Sequence, residues 1–146
     1  MSYFFDTSAI VKIYHQEERS SIVLDILKSK ELIYISELSV IEYYSVIYRK
    51  LRENFLNINE LEKIVKRFEI DLTRAFELLL FNSDVVDWSK EIYRIIGQNV
   101  FVRPLDVIQI GFFKSYLSDK DVFITFDNRQ ESAITELTKE LEKNIR

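Results

Sequence analysis

The sequence predicts an α/β fold layered on a small parallel sheet, and three features carry that prediction. Short apolar runs suited to buried strands alternate with longer stretches in which apolar residues recur three and four positions apart. Gly and Pro number only 2 and 1, so sharp turns are few and no flexible linker divides the chain. A length of 146 residues, 47% hydrophobic and 30% charged, fits one ordinary globular domain spanning 1–146, with no internal repeat.

Tyr3-Phe4-Phe5 opens the chain as a buried strand, and Asp6-Thr7-Ser8 directly after it supplies helix-start chemistry. Ile10, Ile13 and Tyr14, then Ile22, Ile26 and Leu27, read as one helix interrupted or kinked near Gln16 to Arg19. Leu32 to Ile35 is a second strand, and Ser36 caps a long helix reaching about Asn54. Leu61, Ile64, Val65, Phe68 and Leu72 mark an amphipathic helix from Asn59 to about Ala75. Leu78 to Phe81 is a short strand. Ser83 caps a helix that ends at Gly97, where a left-handed C-terminal glycine is expected. Pro104 opens a helix through Leu117, Val122 to Phe126 is the strongest strand, and a last helix covers about Asn128 to Lys143. Buried strands joined by helical crossovers make the sheet parallel and the architecture layered.

Composition removes several chemistries. With no Cys there is no disulfide, thiolate zinc site or Cys nucleophile. A single His, His15, leaves no two-histidine metal motif, and it reads as a surface residue near the break at Gln16. Gly97 and Gly111 stand alone and cannot form a phosphate-cradling loop. The N-terminus lacks signal-peptide features and no apolar run is long enough to span a membrane, so the expectation is a soluble cytoplasmic protein with no membrane partner. Carboxylates remain as the leading bearers of any chemistry.

Four of the 24 acidic residues sit in unusually apolar company. Asp6 ends the run YFFD, with no charged residue following until Lys12. Glu42 is the only charge in LSVIEYYSVIY, in line with Leu38 and Val46, which turns it toward protein. Asp106 lies in RPLDVIQIGFF, and Asp127 follows the strand VFITF. Asp6 and Asp127 also suit helix N-caps, and Asp106 suits a first-turn acid favoured by the helix dipole. A buried carboxylate without a partner is costly, so Glu42 needs a stronger account.

Position links the four. In an open parallel sheet ligands collect beyond the carboxyl ends of the strands, and Asp6 and Asp127 directly follow strands. Gathered carboxylates raise one another's pKa unless a cation lies between them. Oxygen ligands without His or Cys select Mg²⁺ or Mn²⁺. Such a cluster suits phosphodiester hydrolysis assisted by one or two ions. Without these four, the remaining 20 acids equal the 20 Lys and Arg, so the formal net charge of −4 resides in the proposed site.

The segments FFDTSAIVKIYHQEE, ISELSVIEYYSVI, VRPLDVIQI and FITFDNR, in this order and at these separations, resemble the PIN-domain nucleases, in particular the VapC-type toxins of prokaryotic toxin–antitoxin pairs. The resemblance spans nearly the whole chain. It implies a three-layer α/β/α sandwich and a Mg²⁺- or Mn²⁺-dependent endoribonuclease acting on RNA, usually a homodimer neutralised by a small antitoxin. It assigns metal binding and catalysis to Asp6, Glu42, Asp106 and Asp127. Ser8 and Thr125 match the family's supporting hydroxyls, with Thr7 a further orienting candidate.

Two features depart from that family. ITELTKELEKNIR stays helix-like where many relatives add a strand, and the acidic balance is unusual for an RNA binder. Arg49, Lys50 and Arg52, and Lys63, Lys66 and Arg67, are either a phosphate or antitoxin track or solvated helix faces. Tyr43, Tyr44 and Tyr48 flank Glu42 and read as core or dimer packing. Two other readings stand beside the nuclease. One is a PIN-like fold serving as a non-catalytic RNA- or protein-binding module. The other is a haloacid-dehalogenase-like phosphatase, which needs an Asp where this chain has Ser8; a receiver domain similarly lacks its acidic pair.

Overall fold

A computed structural model describes residues 1–145 of the chain. The chain runs β1 (Tyr3–Phe5), α1 (Thr7–Tyr14), α2 (Ser20–Lys28), β2 (Ile33–Ser36), α3 (Glu37–Arg52), α4 (Ile58–Arg74), β3 (Glu77–Leu79), α5 (Ser83–Ile96), α6 (Pro104–Tyr116), β4 (Val122–Ile124) and α7 (Asn128–Ile145). The four strands form one parallel sheet in the order β3-β2-β1-β4, with Phe4 opposite Tyr34 on one side and Phe123 on the other.

Alternation along the strands divides the core into two layers. Phe5, Ile33 and Ile35 point to one face, where they pack with Ala9, Ile10, Val23, Tyr43, Ile47 and Phe68 of α1 to α4. Phe4 points to the opposite face and joins Leu79, Val85, Phe112 and Phe113, against which α5 and α6 pack. Ile92, Ile96, Val107, Ala133 and Leu137 close α5, α6 and α7 together. The result is the expected three-layer α/β/α sandwich. Among the described residues no helix is long and apolar enough to cross a membrane.

Strand order positions the site. From β1 the chain winds outward through β2 to β3, then returns through α5 and α6 to pair β4 on the other flank of β1. That reversal leaves an opening beyond the carboxyl ends of β1 and β4, the place where parallel sheets bind ligands.

The break expected near Gln16 to Arg19 is present as a turn and separates two helices, with Arg19, at φ 68°, leading into α2. Lys12 Nζ donates to the Glu18 carbonyl at 2.7 Å and holds that turn. Several local expectations change. The N-cap of α5 is Asn82, whose side chain accepts from Val85 N–H, so Ser83 is the first helical residue instead of the cap. Gly97 ends α5 at φ −64° and is not left-handed; a Cβ there would collide with the Tyr93 carbonyl, so close approach is what requires glycine. β3 begins one residue earlier and ends two residues earlier than expected, and β4 ends at Ile124, leaving Thr125 and Phe126 in the loop to α7. His15 is half-buried, not a surface residue, and its Nδ1 has no partner among the described residues. The chain past β4 forms α7 and, among the described residues, no further strand.

Candidate active site

Asp6 is placed by β1. Its backbone N–H still donates to Ile124 of β4, while its side chain caps α1 by accepting Ala9 N–H at 3.1 Å. The Ser8 hydroxyl donates to the same Oδ1 at 2.6 Å and accepts the Phe126 N–H at 2.8 Å, which ties the end of β1 to the loop after β4. Asp6 is nearly buried, and burial pushes its pKa up to about 6 against the opposing pull of the Ser8, Thr125 and Ala9 donors. Capping and a site role are therefore held by one side chain.

Glu42 lies on the inner face of α3, half-buried. Its Oε1 accepts from Gln109 Nε2 at 2.8 Å and from Thr7 Oγ1 at 3.1 Å. Burial raises its pKa, partly offset by those two donors. Gln109 is the hub of this wall. Its Oε1 accepts from Ser36 Oγ at 2.9 Å, and its Nε2 also donates to Ser39 Oγ at 2.8 Å. One buried amide thus joins the end of β2, the start of α3 and the acid on α3 to α6.

Asp106 stands in the first turn of α6, and Asp127 begins α7. Asp127 Oδ1 accepts the backbone N–H of Arg129 at 2.8 Å and of Gln130 at 3.3 Å, while Thr125 Oγ1 receives the Asp127 N–H at 3.1 Å. Between these acids lies Arg103. Its Nε donates to Asp106 Oδ2 at 2.8 Å, and Nη2 donates to Asp106 Oδ1 at 3.2 Å and Asp127 Oδ2 at 3.4 Å.

All four acids, with Ser8, Thr7, Gln109 and Arg103, line one cleft of about 710 Å³. Lys12, Arg49 and Lys50 form its basic rim, and Glu17 lies 3.4 Å from Lys12 Nζ and 3.6 Å from Lys50 Nζ. The apolar part of the rim is Leu38, Ile41, Leu105 and Phe126. Thr125 supports the site from the loop behind Asp127.

The donor set suits a hard divalent cation: carboxylates and hydroxyls, with no imidazole or thiolate in the cleft. Among the described residues no three acidic side chains yet stand close enough to form a cation cage. Asp106 and Asp127 are bridged by the Arg103 guanidinium, and Asp6 and Glu42 are held by neutral donors. The residues fit such an ion in kind.

Sequence reasoning missed Gln109 and Arg103. Gln109 was detectable as the lone uncharged polar side chain in VIQIGFF, whereas Arg103 meets its second partner, Asp127, only through the fold.

Comparison with known proteins follows the same lines. No curated protein sequence matches the chain. Among solved structures, FitAcB from Neisseria gonorrhoeae superposes with a TM-score of 0.70 at 18% identity, covering 91% of this chain and 93% of its own. VapBC2 from Rickettsia felis, solved bound to a DNA fragment from their promoter, gives 0.67 at 14% identity over 91% and 93% of the two chains. VapC20 from Mycobacterium tuberculosis, described as a sarcin-ricin loop cleaving toxin, gives 0.64 at 14% over 90% and 95%. At these identities the likeness concerns the fold. A family model for the PIN domain matches residues 3–134, spanning the sheet, the cleft and all four acids, and the chain therefore belongs to the PIN-domain family.

Proposed function

We propose that the protein is a VapC-type toxin, an endoribonuclease that hydrolyses RNA phosphodiester bonds with Mg²⁺ or Mn²⁺ held by Asp6, Glu42, Asp106 and Asp127. One observation carries the reading: four carboxylates from four separate elements, spread between positions 6 and 127, line a single cleft at the reversal point of the sheet. When bound, the ion supplies water activation and neutralises charge on the reacting phosphate. The chain's own residues hold the frame. Ser8 fixes Asp6, Thr7 and Gln109 fix Glu42, and the Thr125 hydroxyl sets the loop that presents Asp127. Lys12, Arg49 and Lys50 offer phosphate contacts along one rim, so the local field is mixed although the whole chain is acidic.

The partner reading is a second copy of the chain together with a small antitoxin. It is supported by an exposed apolar stripe beside the cleft: Ile41 is 72% exposed, Tyr48, seven residues on along α3, is 46% exposed, and Phe55 just past the helix is 64% exposed. The neighbours solved as VapBC pairs make an antitoxin the natural candidate for the remaining surface.

Asp6→Asn and Glu42→Gln test the activity. Each should abolish cleavage of single-stranded RNA and lower Mn²⁺ affinity while leaving the circular dichroism spectrum unchanged. Wild-type cleavage rates in both variants would refute the site. A wild-type protein that binds no Mn²⁺ at millimolar concentration would instead favour a non-catalytic binding module.

A further inference from the structure

Arg103 holds the very oxygens a cation in this cleft would need. Its backbone is fixed between buried Val102 and Pro104 at the first turn of α6, so the side chain lies back over Asp106. Three of the four carboxylate oxygens of Asp106 and Asp127 accept from its guanidinium, at 2.8, 3.2 and 3.4 Å. The fourth, Asp127 Oδ1, is taken by the backbone N–H groups that begin α7. Every oxygen of the pair therefore meets a donor already. Each carboxylate oxygen keeps a further lone pair, but arginine does not release its charge by deprotonation in a protein, so a cation approaching these oxygens is repelled by the guanidinium until it changes partner. It can do so without disturbing the core, because its side chain is 42% exposed and opens onto the cleft.

Resting on the nuclease reading above, we propose that Arg103 is an exchangeable internal counter-ion: it neutralises Asp106 and Asp127 in the metal-free protein, yields their oxygens to the divalent cation, and then serves a phosphate oxygen of the RNA. A planar fork that grips a carboxylate with two N–H groups grips a phosphate equally well. Arg103 thus opposes metal binding and favours substrate binding, a combination a purely structural residue does not produce.

Calorimetric titration of Mn²⁺ into wild type, R103Q and R103K, paired with steady-state cleavage of a single-stranded RNA, tests this. R103Q should bind Mn²⁺ about tenfold more tightly, the scale of one charge-assisted hydrogen bond, while KM for RNA rises. R103K keeps the charge but loses the fork, so its Mn²⁺ affinity should fall between the two. Equal or weaker Mn²⁺ binding by folded R103Q overturns the proposal, as does an R103K affinity equal to wild type, which would reduce the effect to net charge. A wild type that neither binds Mn²⁺ nor cleaves RNA defeats the nuclease reading itself. Should R103Q fail to fold, the Arg103 Nε–H resonance of wild type decides: it should shift on adding Mg²⁺, and an unmoved resonance overturns the exchange.

Discussion

Asp6 bears the site's electrostatic cost most directly, because it is nearly buried and its pKa is pushed up to about 6 by burial. A carboxyl with a raised folded pKa weakens the fold as pH rises from its unfolded value toward its folded one. The metal-free wild type should therefore lose stability between about pH 4 and pH 6 from this group, and Asp6→Asn should not. Asp6→Asn keeps the capping oxygen, so at pH 7.5 in chelator it should be more stable by up to about 3 kcal/mol in urea unfolding, with the gap closing below pH 4. A second expectation concerns Gln109. Gln109→Leu leaves Ser36, Ser39 and Glu42 without their shared amide and should cost about 2–4 kcal/mol, with activity lost alongside. Asp6 and Glu42 were legible in the sequence because a charge in an apolar run has no solvent explanation. Arg103 was not, since an Arg before a Pro looks ordinary until Asp127 arrives from 24 residues away.

Local rules predicted the helices well where a side chain satisfies a backbone group. Ser36 does cap α3, accepting Ser39 N–H, and Pro104 does open α6. They misled where two candidates were adjacent: Asn82 and Ser83 both suit an N-cap, and it is Asn82, in extended backbone, whose side chain accepts the Val85 N–H. Gly111 shows a packing role that no local pattern reveals. A Cβ there would lie 2.6 Å from Ser89 Oγ and 3.0 Å from the Val85 carbonyl, so α5 packs directly against the backbone of α6 at this glycine. Gly111→Ala should push the helices apart and lower stability by about 1–3 kcal/mol, as overpacking does. Since α6 carries Asp106 and Gln109, the thermal shift should be accompanied by reduced cleavage at temperatures where the variant remains folded.

For the whole molecule, the strand order β3-β2-β1-β4 was beyond the sequence, because three- and four-residue strands state that they pair but not with which neighbour. The order is what brings positions 6 and 127 side by side and gathers the four acids, three of them separately explicable, into one cleft. It also leaves Ile41 and Tyr48 exposed beside that cleft. If the proposed dimer forms through this stripe, replacing both with Asp should convert it into a monomer in sedimentation velocity without unfolding it; an unchanged sedimentation coefficient would contradict that interface. The central claim is that the four carboxylates form one divalent-cation site. Calorimetric titration of Mn²⁺ into wild type and Asp6→Asn at pH 7.5 tests it most directly: wild type should bind and Asp6→Asn should bind at least tenfold more weakly, the scale of one lost charged ligand, whereas equal affinities in the two proteins would contradict it.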